Sequence, residues 1–540
     1  MDAGKETYLA SCQIKRKFLW SLLENQGKRA VILEPKIEKT ENLIACAQEL
    51  EQKFRSDPHR PKYHFMPPSA WMNDINGAIF WKGRYHIFYQ HNPEGGYWKW
   101  MQWGHASSID LVHWVHHPIA LTPTLDGPDR NGCFSGGAFI SKEGIPTFIY
   151  YGVPDGTCLA SSQDDMLINW TKHPDNPVTP EPTPDSPNFG KYTIHDPSAW
   201  LDGDIYYQIT NNRNPEGKGD AAYLFRAHDL DCWKYVGLFY QSNRRWTEFD
   251  EDCAVPDFFP LEDKYMLLFC SHLQGTQYYL GRLQNELYHP EIHGRMSWPG
   301  GQLGGARTLL DNKGRRVFFD WVRELQGSER ERASGWSGVM TLPRILSLAD
   351  DGTLCIQPVP ELEVLRMNPR THPDAQLATN SDLTLDNVEG RCLELSLNIE
   401  PQDAQEFGVK VRCSPDGDEQ TIISCHSASK KLKVDVSKST LDEKIVYNYY
   451  RNTGALGRLP EEKRVVKAQE APFELSVGET LNLHIFLDHS ILEVYANSRQ
   501  CITQRIYPTR SDSVGISLFS GDGSVNVKSI RAWDMAPANN

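Results

Sequence analysis

The stretch that decides the fold is GRYHIFYQHN, Gly83 to Asn92, an aromatic run that begins at a turn residue. Four later stretches share this texture: GIPTFIYYGV, GDIYYQITNN, DKYMLLFCSH and RRVFFDWVRE. The matching positions, Tyr85, Thr147, Ile205, Tyr265 and Val317, are separated by 62, 58, 60 and 52 residues. Short strands that recur at this period predict one four-stranded propeller blade per repeat.

Five such repeats predict a five-bladed β-propeller over residues 61–355, in preference to a β-sandwich whose strand spacing is coincidental. A Pro-rich linker is expected at residues 356–374. Alternating runs such as KLKVDVS and VGISLFSG then predict a β-sandwich over residues 375–535, with nothing catalytic in it. Within the sandwich, Asp488, His489 and Glu493 are expected to be turn and surface residues.

The first 60 residues are predicted to form a helical extension. In TENLIACAQELEQKF, Thr40 is a suitable N-cap, and apolar residues follow at helical spacing along one face. This extension packs on the main domain or mediates dimer contacts, and no chemistry is assigned to it. The fold class is therefore all-β, a propeller followed by a sandwich, with a short helical N-terminal extension.

Charge and cysteine usage exclude several classes of function. The formal net charge is −14, which argues against nucleic acid or an anionic membrane as the main partner. The 12 cysteines are scattered without a CxxC pair, so neither a structural zinc nor a dense disulfide framework is expected. The N-terminus lacks the apolar run of a secretory signal, and no transmembrane stretch is present. We expect a cytoplasmic protein with reduced thiols.

Acidic residues recur at a similar phase of three repeats. Asp74, Asp196, Glu251 and Asp252 precede the markers of their repeats by 11, 9, 14 and 13 residues. Because the innermost strands of all blades line one central channel, residues at matching phase are expected to converge in one pocket. The alternative interpretation is that Asp and Glu beside Gly and Pro serve turns. Their common phase favours a site.

Converging carboxylates among aromatic side chains, without a metal cluster, are typical of glycoside hydrolysis. One carboxylate attacks or stabilises the anomeric carbon, and another group protonates the leaving oxygen. Aromatic rings then bind the faces of the sugars. The pattern predicts a carbohydrate-active site that needs no cofactor.

At this point the motifs resemble those of glycoside hydrolase family 32, the invertases, inulinases and fructosyltransferases. WMNDING is similar to the family's WMNDPNG, and FYQHNPEGGYWKWMQWGHA to its FYQxNP and WGHA block. CFSGG, HDPSAW, GWSGVMTLPRIL, PELEVLR and ILEVYAN resemble further family blocks in the same order. The family fold is a five-bladed propeller followed by a β-sandwich, which agrees with the periodicity.

The resemblance implies catalytic roles for three acidic residues. Asp74 would be the nucleophile that attacks C2 of a fructosyl unit, and Asp196 would stabilise the transition state. The family's acid/base Glu belongs to a Glu-Cys-Pro motif, but here Ala254 and Val255 stand where that Glu and Cys are expected. We predict Glu251 as the acid/base because its arm spans the inserted backbone, with Asp252 as the alternative.

The resemblance also implies a set of sugar-binding residues. His195 replaces the family arginine and either donates a hydrogen bond to fructose or packs against neighbours. The other positions that match the family's fructose-binding residues are Asn73, Gln90, Trp98, Phe134 and Ser135.

Together these features predict a retaining β-fructofuranosidase acting on sucrose, kestose and nystose, with transfructosylation as a further reaction. Two alternatives stay open, an exo-inulinase or levanase on longer fructans and a non-catalytic fructan-binding protein. Neither nucleic acid nor a membrane is expected as a partner. The oligomeric state is left open, and a homodimer is compatible with the sequence.

Overall fold

The computed structural model describes residues 49–211, 219–448 and 465–538. The chain divides into two units, Met1–Ser56 and Asp57–Asn540. In the first unit, residues 49–56 form helix α1, while Thr40 and most of the predicted helical extension lie outside the described residues.

The predicted repeats correspond to five antiparallel sheets in chain order. Blade I contains β1 (Ala70–Trp81), β2 (Arg84–Asn92), β3 (Gln102–Ser108) and β4 (Trp114–Leu121). Blade II contains β5 (Gly132–Ile140), β6 (Pro146–Val153), β7 (Gly156–Ser161), β8 (Thr171–Lys172) and β9 (Thr179–Pro180). Blade III contains β10 (Ser198–Asp202), β11 (Ile205–Asn211), β12 (Ala221–Ala227) and β13 (Lys234–Gln241).

Two further sheets complete the propeller. Blade IV contains β14 (Ala254–Leu261), β15 (Lys264–Ser271), β16 (Gly275–Gln284) and β17 (Leu287–Arg295). Blade V contains β18 (Arg307–Leu310), β19 (Arg316–Phe319), β23 (Arg344–Leu348) and β24 (Leu354–Pro358). Between β19 and β23 lie β20 (Trp321–Val322), helix α2 (Ser328–Ser334), β21 (Trp336–Ser337) and β22 (Val339–Met340). Each of the five repeat markers falls in the second strand of its blade, which confirms the predicted fold.

The first strands of the blades adjoin one another around the centre of the propeller. β1 packs against β5 and β18, and β10 packs against β5 and β14. Arg307 at the start of β18 completes this ring: its buried guanidinium donates to the carbonyl of Gly136 at 2.9 Å and to that of Pro256. One side chain thereby ties blades II, IV and V together below the channel.

The ring of blades is closed by β21, which belongs to the segment between β19 and β23 and joins the sheet of blade I. β21 pairs in parallel with β1, joining Ala70 to Trp336 and Trp71 to Ser337. Because the excursion between β19 and β23 returns to the edge of blade I, blade V is tied to blade I through backbone hydrogen bonds. This edge of β1 is therefore covered rather than open to pairing with other chains.

The C-terminal part of the chain folds into two packed sheets. Its strands are β25 (Arg366–His372), β26 (Ala375–Leu377), β27 (Ser381–Glu389), β28 (Cys392–Pro401), β29 (Glu406–Cys413), β30 (Gln420–His426), β31 (Lys431–Lys438), β32 (Ala468–Pro472), β33 (Leu481–Asp488), β34 (Ile491–Ala496), β35 (Gln500–Arg505), β36 (Gly515–Asp522) and β37 (Val525–Met535). Alternate residues point inward, as Leu393, Leu395 and Leu397 of β28 do, and they form the sandwich core.

The range predicted as a linker holds regular elements. β24 ends at Pro358, a 3₁₀ helix covers Pro360–Leu365, and β25 begins the sandwich at Arg366. The connection is thus short, and the last blade and the first sandwich strand take up most of residues 356–374. None of the helices in the described ranges has the length and apolar character of a membrane span, and no disulfide joins the ten cysteines in those ranges.

The expectation that Asp488 and Glu493 are surface residues was wrong. Both are fully buried, at the junction between the propeller and the sandwich. Asp488 accepts hydrogen bonds from the backbone of Tyr63 at 2.8 Å and from the ring of His64 at 2.9 Å. Arg344 of β23 reaches Glu493 at 3.0 Å. The sequence around these acids resembles an exposed turn, and it does not show that residues remote in sequence, such as Tyr63 and His64, cover them.

Candidate active site

A pocket of about 410 Å³ opens at the centre of the propeller, and every blade contributes to its lining. The lining residues are Trp71, Asn73, Asp74, Gln90, Trp98, Met101, Phe134, Ser135, His195, Asp196, Ala254, Val255, Cys270, His272, Trp321 and Arg323. Eight of the nine residues predicted for the site are in this set, and Glu251 is not. This volume is within the range of small-molecule sites.

β-Bulges in the innermost strands place these side chains. In β1, Met72 pairs with His91 and Ile75 with Tyr89, so Asn73 and Asp74 together oppose one residue, Gln90. An equivalent irregularity in β5 presents Phe134 and Ser135. Bulges bend a strand and re-aim its side chains, and here they direct two consecutive residues towards the pocket.

The Asp74 carboxylate lies between a hydroxyl and a glycine. Ser135 Oγ donates to Asp74 Oδ2 at 2.6 Å. Burial and the neighbouring Asp196 raise the pKa of Asp74, while hydrogen bonds from Ser135 and Asn73 act in the opposite direction. A Cβ on Gly305 would lie 2.3 Å from Asp74 Oδ1, so the close approach of this backbone requires glycine. The carboxylate is thus held in one orientation.

Asp196 sits in a strained backbone conformation just before β10. Its φ is +43°, in the left-handed region that residues other than glycine seldom adopt. Such strain costs on the order of 1–3 kcal/mol and concentrates at functional sites. Burial alone would raise the pKa of Asp196, but the charge of His195 and a 2.8 Å bond from His195 Nδ1 lower it. Asp196 is therefore an ionised carboxylate facing the pocket.

The remaining predicted residues form the walls and the rim. Gln90 Nε2 donates to the carbonyl of Cys133 at 3.0 Å, which fixes its amide. Trp98 is 54% exposed and meets Phe134 edge-on, with their ring centroids 5.7 Å apart. The exposed indole at the mouth and the buried amide inside form a polar cavity with an aromatic entrance, an arrangement suited to a sugar.

The structure does not bring Glu251 to the pocket. The residue is fully buried, and its carboxylate accepts from the backbone of Glu248 at 2.8 Å and from Gln277 Nε2 at 2.5 Å. Burial raises the pKa of Glu251. In β14 a bulge places Val255 and Pro256 opposite one residue, with Val255 at φ +47°. Ala254 and Val255 line the pocket at this bulge, and Glu251 does not. Its predicted role as acid/base gains no support from this geometry.

Asp252, the predicted alternative, reaches the site indirectly through His272. Asp252 Oδ1 accepts from the backbone of His272 at 2.8 Å, and Oδ2 contacts His272 Nδ1 at 2.5 Å. The pKa of Asp252 would be raised by burial but is lowered by the charge and hydrogen bonds of His272. Asp252 does not line the pocket, whereas the His272 ring does.

Sequence reasoning missed His272, Trp321 and Arg323 as pocket residues. All three fall at the ends of aromatic stretches used to define the repeats, DKYMLLFCSH and RRVFFDWVRE. Their position near the end of a repeat stretch could have identified them. Gln90, which was predicted to bind the sugar, lies near the end of the corresponding stretch in blade I.

A metal has no evident place among the pocket residues. In the described ranges, one group of three side chains, His173, Asp175 and Asp231, offers ligand atoms within 4.8 Å of one another. None of these three lines the pocket. The pocket lining itself carries two carboxylates, Asp74 and Asp196, and two imidazoles, His195 and His272.

Comparison with known proteins gives a family. Residues 64–358 match the model described as "Glycosyl hydrolases family 32 N-terminal domain", and residues 361–534 match "Glycosyl hydrolases family 32 C terminal". A sucrose-6-phosphate hydrolase of Zymomonas mobilis is 30% identical, over 90% of this chain and 94% of the relative. A fructan 6-exohydrolase of Beta vulgaris is 28% identical, over 89% of this chain and 88% of the relative.

A solved structure resembles nearly the whole chain. It is a variant of fructan 1-exohydrolase IIa from Cichorium intybus in complex with 1-kestose. The two proteins are 25% identical, and the TM-score is 0.77 over 89% of this chain and 98% of the other.

Proposed function

Because the chain belongs to glycosyl hydrolase family 32, we infer that it is a β-fructofuranosidase that cleaves sucrose and short fructo-oligosaccharides with retention of configuration. The observation that carries this proposal is the facing pair of carboxylates, Asp74 and Asp196, in one polar pocket at the centre of the propeller. Relatives named as sucrose-6-phosphate hydrolase, raffinose invertase and fructan exohydrolase support a fructoside as the substrate.

In the proposed mechanism Asp74 is the nucleophile. Its carboxylate attacks C2 of the fructosyl unit as the bond from C2 to the leaving oxygen breaks, which gives a covalent fructosyl-enzyme. The bond from Ser135 keeps one oxygen of Asp74 fixed and favours the ionised form. Asp196, ionised through His195, would accept hydrogen bonds from fructose hydroxyls and stabilise the positive charge that develops on the ring. Water then attacks C2 and releases fructose.

The pocket residues assigned to sugar binding have distinct roles in this proposal. Asn73 and Gln90 would bind hydroxyl groups of the fructosyl ring from inside the cavity. Trp98 and Phe134 would pack against the second sugar at the mouth. If the hydroxyl of a second sugar bound at the mouth, instead of water, attacks C2 of the fructosyl-enzyme, the product is an oligosaccharide formed by transfructosylation.

The positive charge of Arg323 favours a second candidate substrate, a phosphorylated sucrose. Arg323 supplies a guanidinium to the pocket lining, and Arg is well suited to binding phosphate oxygens. A sucrose phosphorylated on its glucosyl unit would place such a group at the pocket. The relatives named sucrose-6-phosphate hydrolase point to the same substrate class.

The experiment is product analysis with the purified enzyme and concentrated sucrose, beside sucrose 6-phosphate, 1-kestose, nystose and inulin. Equal glucose and fructose from sucrose would establish hydrolysis. Excess glucose with growing oligosaccharides would establish transfer. A kcat/KM that rises with chain length would make the protein an exo-inulinase or levanase. Saturable binding with no turnover of any fructoside would overturn the proposal in favour of a fructan-binding protein.

Two further expectations stay proposals. A cytoplasmic location is tested by fractionating the source cells and assaying each fraction. A homodimer is tested by light scattering on the full-length protein. Neither result would change the assignment of the pocket.

A further inference from the structure

The proposed reaction needs a proton donor for the leaving oxygen, and among the described residues the lining carries two carboxylates, Asp74 and Asp196. Ala254 presents only a methyl group there, and Glu251 is buried behind the wall. With Asp74 as nucleophile and Asp196 bound to fructose, the remaining ionisable groups are His195, His272, Cys270 and Arg323. Arg323 does not release a proton at neutral pH, and the thiol of Cys270 is only a weak donor. His195 pairs through Nδ1 with Asp196, the carboxylate that the proposal assigns to the fructose hydroxyls, whereas the carboxylate that pairs with His272 does not line the pocket.

We propose that His272, oriented by Asp252, is the general acid and base of this enzyme. This inference rests on the proposed function, because it concerns the same fructosyl transfer. It assigns Asp252 as a positioning residue and gives Glu251 no part in the proton transfer.

The contacts of Asp252 fix the ring of His272. One oxygen of the carboxylate accepts from the backbone N–H of His272 at 2.8 Å, and the other contacts Nδ1 at 2.5 Å. Asp252 is buried, while the side chain of His272 is 23% exposed. A carboxylate on Nδ1 holds the proton on that nitrogen and sets the ring orientation, so Nε2 is the atom that exchanges a proton with the substrate.

Strand pairing explains how His272 reaches the pocket. Ala254 of β14 pairs with Cys270 of β15, and both line the pocket. Side chains two residues apart on a strand point to the same side, and His272 comes two residues after Cys270, directly beyond the end of β15. The imidazole therefore faces the pocket from the strand beside the alanine that occupies the family's acid position.

Charges on four elements face this imidazole. A positive charge at His272 helps to lower the pKa of Asp196 before β10 and of Asp252 before β14. It also opposes the rise in the pKa of Asp74 on β1 that burial and Asp196 cause. These three carboxylates in turn stabilise the imidazolium. Cations oppose it: His195 beside Asp196, Arg323 after β20 and Arg307 below the channel. The carboxylate of Asp252 contacts the ring directly, which suits a group that must carry a proton into the first step.

His272 gives up one proton in the first step and regains one in the second. In the first, the imidazolium Nε2–H gives its proton to the glucosyl oxygen as the C2–O bond breaks and Asp74 bonds to C2. Glucose leaves, and His272 is neutral. In the second, Nε2 takes a proton from water as the water oxygen bonds to C2 and the bond to Asp74 breaks. Fructose leaves, and the imidazolium is restored.

The test compares two substrates in His272→Ala. Sucrose has a leaving group that needs protonation, whereas p-nitrophenyl β-D-fructofuranoside releases a stabilised phenolate that does not. Loss of a general acid typically costs about 10²–10⁴-fold, so kcat/KM on sucrose should fall by that factor. On the aryl fructoside kcat/KM should fall less than about tenfold, because the nitrophenolate leaves without a proton from His272. Azide, which needs no base to attack C2, should restore turnover of the aryl substrate.

Three further variants complete the experiment. Asp252→Asn should reproduce part of the selective loss on sucrose and should change the pH profile of kcat/KM, as expected of a residue that acts through the ring. Glu251→Gln should keep the wild-type ratio between the two substrates. His113→Ala is the matched control, since His113 pairs with Asp110 at 2.8 Å in the same way on the exposed surface and should leave both rates unchanged.

The outcomes are distinct. Selective loss on sucrose with azide rescue supports the assignment, and circular dichroism of His272→Ala would show that the fold is intact. Equal loss on both substrates, full activity of His272→Ala, or the selective pattern in Glu251→Gln instead would overturn it. If wild type turns over neither sucrose nor the aryl fructoside, the proposed function fails rather than this assignment. A variant that does not fold is replaced by His272→Gln, which keeps the side-chain bulk.

Discussion

At the scale of single residues, Asp74 shows how one carboxylate is tuned by neighbours of opposite effect. Burial and the charge of Asp196 favour its protonated form, whereas the Ser135 hydroxyl and the Asn73 amide favour the ionised form. A nucleophile must be ionised to attack. The pH at which the enzyme loses activity on the acid side therefore reports the balance of these contacts.

Ser135→Ala should move the acid limb of the kcat/KM profile to higher pH. The hydroxyl bond stabilises the carboxylate, and its removal lets the pKa of Asp74 rise further. A hydrogen bond to a charged group is worth about 1.5–3 kcal/mol, and one pKa unit is about 1.4 kcal/mol. The expected displacement is therefore roughly one to two pH units.

The matched control is Ser141→Ala in the same blade, whose hydroxyl accepts from the backbone of Ile145 in the β5–β6 turn, outside the pocket lining. Its profile should coincide with that of wild type. An acid limb that stays in place in Ser135→Ala would contradict the role of Asp74 as the titrating nucleophile.

The position of Asp74 and Asp196 ahead of their repeat markers predicted that they converge, and both line the pocket. The same counting placed Glu251 there, and it is not in the lining. Counting residues before Pro256 does not reveal that the bulge in β14, with Val255 in a left-handed conformation, puts Ala254 and Val255 in the lining. Nor does it reveal that His272, just beyond the neighbouring strand, lines the pocket beside Ala254. Strand length and register, rather than residue type, decide which acid faces the pocket.

At the scale of elements, the loop that leads into β18 packs against Asp74 and is bonded to the strand that carries it. The carbonyl of Gly305 accepts the backbone N–H of Ile75 at 2.8 Å, which joins this loop to β1 just after Asp74. The φ of Gly305 is +92°, and its missing Cβ leaves the space that Asp74 Oδ1 occupies. The geometry of the site thus depends on a backbone of another blade.

Gly305→Ala should lower kcat on sucrose by about 10²-fold or more, because a displacement of roughly 1 Å at a reacting group has costs of that order. Gly314→Ala in the β18–β19 turn is the control: its φ is +73°, but nothing lies within 4 Å of its added Cβ. Both variants carry the backbone penalty of about 1–2 kcal/mol. Thermal melting should show a larger loss for Gly305→Ala, because its Cβ would also lie 2.8 Å from the backbone of Asp74. At a temperature where both variants are folded, only Gly305→Ala should lose activity. Equal activity of the two variants would contradict the close contact.

At the scale of the whole molecule, buried ion pairs fasten the sandwich to the propeller. Arg344 NH2 lies 3.0 Å from Glu493 Oε1, and the backbone of Leu342 also donates to that oxygen at 3.1 Å. Burial alone would raise the pKa of Glu493, but the charge of Arg344 and hydrogen bonds from His64 and Tyr495 lower it to about 2. The propeller and sandwich were predicted as separate domains from their strand patterns. This junction was not, because its partners are remote in sequence.

Glu493→Gln should destabilise the protein by about 3–5 kcal/mol, since it leaves the buried guanidinium of Arg344 without its counter-charge. The depressed pKa sets the pH dependence. The ionised Glu493 carboxylate contributes fully to the free energy of unfolding above its unfolded-state pKa of about 4.3. This contribution is lost as pH falls through the folded-state pKa of about 2. Denaturant unfolding at pH 7 and pH 3 should therefore give a smaller difference from wild type at the lower pH.

Glu470→Gln is the control for this pair. Glu470 Oε2 accepts from Lys431 Nζ at 2.6 Å within the sandwich, where both side chains are exposed. Such a pair contributes at most about 1 kcal/mol, so the variant should unfold close to wild type. Equal destabilisation by both substitutions would contradict the view that the buried junction holds the two domains together.

The central claim is that Asp74 attacks a fructosyl unit in the central pocket, and glucose release from sucrose by wild type and Asp74→Asn tests it most directly. Loss of a nucleophile in a hydrolase costs on the order of 10⁴-fold or more in kcat. We therefore predict steady glucose release by wild type and, for an Asp74→Asn protein with unchanged melting temperature, release reduced by at least that factor. Comparable rates for the two proteins would contradict the account.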